Sequence, residues 1–318
     1  MNIVVLDAKP LDSGDLDWSP LRELGVLTLH DNTREDELIE RLREAEVLFS
    51  NKVKISRAAI EGAPNLQMIG VLATGFDIID LEAAREKNVV VCNVPSYSAA
   101  FTAQSTWALI LELTHHVGEH NWSVKNGAWS QQEYFSYWNS PLVELDGKTL
   151  VIIGLGNIGK RVARIGQALG MEVIAAQLPG RETKSDDEFS YAPLEAALKV
   201  ADVISLHCPA TSQTRGIIDA EFLGRLKPST LLVNASRGAL VNEADVARAL
   251  EANRIAGYAA DVLSSEPPPP DNPLLHVPRC ILTPHLSWAS VECRRRILET
   301  SVENLRAFLR GAPQHVVS

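Results

Sequence analysis

The sequence predicts an α/β chain with two doubly wound parallel-sheet domains and a cleft between them. Three observations carry that reading. Short β-rich runs alternate with helical patterns, which implies parallel sheets. The alternation comes in two series, one on each side of a long apolar helix. The chain has 318 residues, too many for one typical core and comfortable for two domains.

In the first series IVVLD (3–7), VLFS (47–50), MIGVLA (68–73) and VVVCNV (89–94) read as strands, with DELIERLREAE (36–46) and LEAAREK (81–87) as helices between them. The opening MNIVVLDAKP has no basic start before a long apolar stretch, so it reads as a first strand and not as a secretory leader. Roughly Ala99 to Lys125 reads as one long helix. Its centre, TWALILEL, is apolar nearly all round, which predicts burial between two bodies. The stretch NGAWSQQEYFSYWNSPLVELDG (126–147) sets two Trp, two Tyr and one Phe among polar residues. It reads either as a satellite cluster under a loop or as an arm packed on a partner subunit, because aromatic anchors are enriched at interfaces.

The second series places strands at 149–153, 172–176, 202–206, 230–234, 257–261 and 280–283. Six strands match a full doubly wound domain. The last segment, Val291 to Leu309, is a helix with Ile297, Val302, Leu305 and Leu309 at helical spacing. It is expected to fold back on the first series. The expected division is therefore 1–98 plus 286–318 against 99–285, with the site in the cleft.

Composition excludes several classes of function. Apolar residues make up 46% and charged residues 22%, ordinary for a globular protein. No apolar run approaches the length needed to span a bilayer. The net charge of −10 disfavours nonspecific binding to nucleic acid or anionic lipid. It leaves room for an anionic small substrate gripped by a few placed cations. The cysteines (Cys92, Cys208, Cys280, Cys293) show no paired spacing, so neither a disulfide framework nor a zinc site is expected, and a reducing cytoplasm fits.

Gly154, Gly156 and Gly159 form G-x-G-x-x-G directly after a strand and at the start of a helix. Those flanks turn a weak pattern into a dinucleotide-binding fingerprint. Gly154 permits the tight turn, Gly156 lets backbone approach a pyrophosphate, and Gly159 lets helix pack on strand. The N–H groups around Asn157 and Ile158 then face an anion at a helix N-terminus.

Further motifs follow in order: VLATGFDIIDLEAA (71–84), NVPSYS (93–98), HCPATSQTRGII (207–218), VNASRGALVNE (233–243), AADVLSSEP (259–267) and TPHLSWAS (283–290). With the glycine cluster they resemble the D-isomer-specific 2-hydroxyacid dehydrogenases over nearly the whole chain. The PH-x-x-W-A form, His285 to Ala289, points within them to the glycerate dehydrogenase or hydroxypyruvate reductase group. The resemblance implies a Rossmann dinucleotide domain plus a flavodoxin-like substrate domain, and a homodimer. It carries the catalytic arginine onto Arg237, the glutamate onto Glu266 and the histidine onto His285. It places carboxylate-binding backbone at Ala73, Thr74 and Gly75, and the nicotinamide-end aspartate at Asp261. Cofactor contacts are also implied for Thr74, Cys208, Pro209, Ala235 and Ser236.

The chemistry agrees. Reducing a 2-keto acid needs a cation for the carboxylate, a proton donor for the carbonyl oxygen and a hydride from nicotinamide. Arg237 follows the strand LLVNAS, at a strand C-terminus where ligands bind in open α/β sheets, and its planar fork suits a carboxylate. Taken alone it reads as a surface arginine at a turn. His285 follows CILTP, and histidine is the natural acid/base near neutral pH. A lone histidine after a strand is more often a structural hydrogen-bonder. Glu266 sits past IAGYAADV, and a carboxylate touching an imidazole favours its protonated form and fixes its tautomer. Taken alone it is a solvated loop residue. All three at strand ends of one sheet outweigh the separate readings. Lys52, in SNKV, is a second cation for the substrate or an exposed loop lysine. His115, His116 and His120 have spacing that touches metal-ligand patterns, but no carboxylate motif joins them, so a domain-interface role is expected and no metal.

One position departs from the pattern. The second strand of the fingerprint ends on Gln177 where NAD-preferring relatives carry Asp. Gln177 neither holds both ribose hydroxyls nor repels a 2′-phosphate strongly, and Arg181 reads either as a partner for that phosphate or as an ordinary exposed loop arginine. NAD(H) and NADP(H) both stay open. The substrate side chain is expected to meet Lys52, Phe76, Tyr97 and Trp288. A small 2-keto acid, hydroxypyruvate or glyoxylate, is the expected substrate. No regulatory domain is expected beyond Ser318, which disfavours the longer phosphoglycerate enzymes. The rival is a non-enzymatic dinucleotide sensor on the same fold, against which the intact Arg237, Glu266 and His285 set argues.

Overall fold

The computed structural model describes residues 1–178 and 188–318. The chain divides into two compact units, Met1–Ser98 with Trp288–Ser318, and Ala99–Ser287.

The first unit is built on five parallel strands: β1 (Asn2–Val5), β2 (Val26–Leu29), β3 (Val47–Ser50), β4 (Met68–Val71) and β5 (Val90–Cys92). Their order is β2-β1-β3-β4-β5. Alternate side chains feed two apolar layers. Val4, Leu48, Ile69 and Val91 enter one, while Ile3, Val5, Phe49 and Met68 enter the other. Strands buried on both faces read as continuous apolar runs, which is why most were visible in the sequence. The edge strand β2 was not, because its VLTL is half exposed. The helix Val291–Leu309 buries Ile297, Leu298, Val302 and Leu305 in the second of these layers.

The second unit holds seven parallel strands: β6 (Thr149–Ile153), β7 (Glu172–Gln177), β8 (Ser190–Pro193), β9 (Val203–Leu206), β10 (Leu231–Asn234), β11 (Gly257–Ala260) and β12 (Cys280–Leu282). Their order is β12-β11-β10-β9-β6-β7-β8. Taken in chain order, that arrangement extends the 3-2-1-4-5-6 dinucleotide-fold pattern by one strand. Six strands were expected; the extra one is β8. Its SYAP ends on proline at a sheet edge and exposes its end residues, so it carries little strand signal.

The expected long helix is two helices, Ala99–His115 and Val117–Lys125. His116 lies between them in the left-handed region, at φ +51°. The Glu112 carboxylate fixes the break by accepting the Gly118 N–H at 3.0 Å. The TWALILEL centre is not buried all round either. Trp107, Leu109, Ile110 and Leu113 enter the core of the second unit, whereas Ala108 and Leu111 are exposed.

Candidate active site

Every candidate among the described residues lies at or beyond the C-terminal end of a parallel strand, where open α/β sheets bind ligands. The turn after β6 carries the glycines. Gly154 has φ +104°, and a Cβ there would lie 2.5 Å from the Cys208 N. A Cβ on Gly159 would lie 2.2 Å from the Gly154 carbonyl oxygen, so the helix Asn157–Ala168 packs tightly on the turn. Gly156 is the N-cap, and a Cβ there would meet nothing within 4 Å. Backbone N–H groups at a helix N-terminus beside open space fit a pyrophosphate.

Around this turn stand the ends of β7, β9 and β10. Gln177 is the last residue of β7, one past Ala176, which pairs with Ile153. Arg181 lies outside the described residues. The Ser236 hydroxyl donates to the Cys208 carbonyl at 2.7 Å, joining two predicted cofactor segments. Cys208 and Ala235 are buried and Pro209 is exposed. Beside Cys208, His207 accepts or donates at Nε2 with the Ser205 hydroxyl at 2.8 Å, while its Nδ1 is buried without a partner. Burial pushes this imidazole down to about 3. Sequence reading did not single out His207.

The ends of β10, β11 and β12 carry the polar set. Asn234, fully buried, shapes the Arg237 turn. Its Nδ2 donates to the Arg237 carbonyl at 2.9 Å and its Oδ1 accepts the Ser236 N–H at 3.0 Å. Asn234 was missed because VNAS reads simply as a strand end. The Arg237 side chain is exposed and donates to the Ser236 carbonyl at 2.8 Å. His285 Nδ1 donates to Glu266 Oε2 at 2.6 Å, and Leu263 N–H donates to Glu266 Oε1 at 3.1 Å. With Nδ1–H pointed at a carboxylate, the tautomer is set and Nε2 is left for chemistry. Nε2 has no hydrogen-bond partner among the described residues.

His285 sits at φ +54°, unusual for a side chain of its size. Asp261 holds it there. Its buried carboxylate accepts from the Thr283 hydroxyl at 2.6 Å, Leu286 N–H at 2.7 Å and Ser287 N–H at 2.8 Å. Three of the roughly four lone-pair positions of a carboxylate are thereby taken. The geometry can support proton transfer at Nε2.

A family model described as D-isomer specific 2-hydroxyacid dehydrogenase, NAD binding domain, matches residues 107–287. The chain belongs to the D-isomer-specific 2-hydroxyacid dehydrogenases. This dehydrogenase is 41% identical, over 100% of both chains, to a hydroxypyruvate reductase of Blautia hydrogenotrophica. It is 36% identical to a glycerate dehydrogenase of Methylorubrum extorquens, over 89% of this chain and 88% of that one. Among solved structures it is similar to an NADPH-dependent glyoxylate/hydroxypyruvate reductase from Sinorhizobium meliloti in complex with NADP and malonate. The TM-score is 0.82 and the identity 26%, over 100% of this chain and 96% of that one. The dehydrogenase is thus an enzyme of 2-keto and 2-hydroxy acids that uses a nicotinamide dinucleotide.

In the first unit the candidate residues sit on a hydrogen-bonded frame that sequence reading missed. The buried Asp7 carboxylate, just past β1, accepts N–H groups from Asn51 at 2.8 Å, Lys52 at 2.6 Å and Val53 at 3.2 Å. Burial pushes this carboxyl up, against the three donors. Asn51 Nδ2 donates to the Leu72 carbonyl at 2.8 Å, tying the Lys52 turn to the Ala73–Gly75 turn. Asn93 Nδ2 donates to the Thr74 carbonyl at 2.8 Å, and the Thr74 hydroxyl donates to the Val94 carbonyl at 2.8 Å. The Lys52 side chain is exposed. Phe76 is partly buried on one apolar layer, and Tyr97 and Trp288 on the other.

The three clustered histidines have local partners. His120 Nδ1 donates to the His116 carbonyl at 2.8 Å, and its Nε2 accepts the Asn139 N–H at 3.1 Å. His115 Nδ1 lies 3.0 Å from the Thr114 hydroxyl. Among the described residues no group of His, Cys, Asp or Glu is arranged to hold a metal ion, and no helix is long and apolar enough to cross a membrane.

Proposed function

We propose that this dehydrogenase reduces hydroxypyruvate or glyoxylate to the 2-hydroxy acid, and runs the reverse reaction, with Arg237, Glu266 and His285 as its catalytic set. The observation that carries this reading is the 2.6 Å bond between Glu266 and His285 Nδ1. The Arg237 guanidinium grips the substrate carboxylate and polarises the neighbouring carbonyl. His285 Nε2 gives its proton to the carbonyl oxygen, and in the reverse direction takes it back. Glu266 fixes the tautomer and holds the ring so that Nε2 is left to the reaction. When bound, the reduced nicotinamide supplies the hydride that C2 receives. Backbone at Ala73, Thr74 and Gly75, with the Lys52 ammonium, is our candidate for further carboxylate contacts. Gly154, Gly156, Asn157, Ile158, Gly159, Gln177, Cys208, Pro209, Ala235, Ser236 and Asp261 are our candidates for holding the dinucleotide. Replacement of His285 by Ala tests the reading. Turnover on a panel of 2-keto acids is expected to collapse while dinucleotide binding persists; full turnover would sink it.

Gln177 carries no charge to repel a 2′-phosphate, so we propose that NADPH is accepted alongside NADH. Initial rates with each cofactor test this, and exclusive use of NADH would overturn it. We further propose a homodimer. Trp129, Tyr134, Phe135, Trp138 and Leu142 of the aromatic stretch are exposed, as is Trp122 in the preceding helix, which disfavours the satellite-cluster reading. An apolar patch of this kind suits a second copy. Sedimentation should give twice the chain mass, and a monomer would refute it. Four cysteines without a disulfide fit a reducing cytoplasm, which fractionation of cells would check.

A further inference from the structure

Glu243 is the first residue of the helix Glu243–Glu251. The helix does not need its side chain, because Asn242 is the cap and accepts the Asp245 N–H. The Glu243 carboxylate turns instead to the loop that carries Glu266. Its Oε1 accepts the Ser264 N–H at 2.6 Å, and its Oε2 accepts from Asn272 Nδ2 at 2.7 Å. Asn272 cannot flip without loss, since its Oδ1 accepts the Leu274 N–H at 3.0 Å. One carboxylate thus fastens residues 264 and 272, and Glu266 lies between them. The loop also touches the Arg237 turn, because a Cβ on Gly238 would lie 2.0 Å from the Leu263 carbonyl carbon.

We propose that Glu243 is a positioning residue for the reduction, a clamp that keeps Glu266 in bonding distance of His285. The proposal rests on the reading of Glu266 and His285 given above. A bond of 2.6 Å tolerates little drift, and small misplacements of reacting groups are costly in rate. The clamp requires two acceptors on one side chain. Glutamine offers one, and its amide group would set a donor against Asn272 Nδ2.

The test uses the full chain carrying E243Q, E266Q, or both. E243Q is expected to lower kcat for the 2-keto acid about tenfold, with KM and the dinucleotide dissociation constant within about twofold. In the E266Q background, E243Q should cost less than about twofold, because two changes acting through one group do not add. N272D keeps the acceptor for Leu274 but loses the donor to Glu243, so it should reproduce the E243Q pattern. It carries the test if E243Q does not fold. An unchanged kcat in both variants overturns the proposal, as does a full additive loss in the E266Q background. H285A, assayed in parallel, separates the two ideas. Full turnover by H285A sinks the Glu266–His285 reading, while a disabled H285A beside an unaffected E243Q sinks only the clamp.

Discussion

Replacement of Glu266 by Gln probes the pair at the centre of the site. Glu266 has two acceptor oxygens, and both are used: Oε2 by His285 Nδ1 at 2.6 Å and Oε1 by Leu263 N–H at 3.1 Å. A glutamine has one acceptor, so one of the two bonds is lost whichever way the amide turns. A hydrogen bond to a charged group contributes about 1.5–3 kcal/mol, worth about 10- to 150-fold in rate. The side chains of His285 and Glu266 are 28% and 35% exposed, so water partly screens them and the lower end applies. E266Q should therefore cut kcat for keto-acid reduction about 10- to 30-fold, with dinucleotide affinity unchanged. Loss of reduced-nicotinamide absorbance gives the rate, and equilibrium titration gives the affinity. A kcat within about twofold of the unmodified enzyme would refute the assignment of Glu266.

Three further outcomes are expected. Gly154→Ala meets the Cys208 backbone and an unfavourable φ, and should destabilise by about 2–4 kcal/mol; Gly156→Ala meets open space and should change stability by under about 1 kcal/mol while weakening dinucleotide binding. Denaturant melts and dinucleotide titrations of both variants check the contrast, which equal melts would contradict. His207 is held down to about 3 in the folded state, so below about pH 6.5 only the unfolded chain takes up its proton. Its contribution to stability is present above that pH and is lost toward pH 3, at up to about 1.4 kcal/mol per pH unit. His207→Gln should remove this component from stability measured between pH 6.5 and 5, and parallel curves for the two proteins would refute it. Arg237→Lys replaces a planar fork with a point charge and should lower kcat/KM about 30- to 100-fold with cofactor affinity retained; a change within about threefold would remove Arg237 from the carboxylate role.

Much of this protein is legible in its sequence because parallel strands buried on both faces announce themselves. Val151, Ile153, Leu150 and Ile152 alternate between two layers, yet all are apolar, so the strand stands out. The edge strands β2 and β8 did not stand out, because one face is wet and β8 ends on proline. The helix break at His116 was hidden for a different reason. It depends on a Glu112 side chain reaching Gly118, a contact that periodicity does not encode. At the candidate site, the sequence motifs point to residues such as Arg237, Glu266 and His285, and not to the groups that brace their turns. Asn234, Asp7 and Glu243 act through backbone N–H groups, and backbone partners leave no signature in the sequence.

The account stands on proton transfer at His285, and one comparison meets it directly. The unmodified enzyme and H285A are given reduced dinucleotide and hydroxypyruvate, and initial rates are measured beside dinucleotide binding. The account predicts turnover by the first, a loss of about 100-fold or more in the second, and equal binding by both. Full turnover by H285A, or none by the unmodified enzyme on any small 2-keto acid, would contradict it.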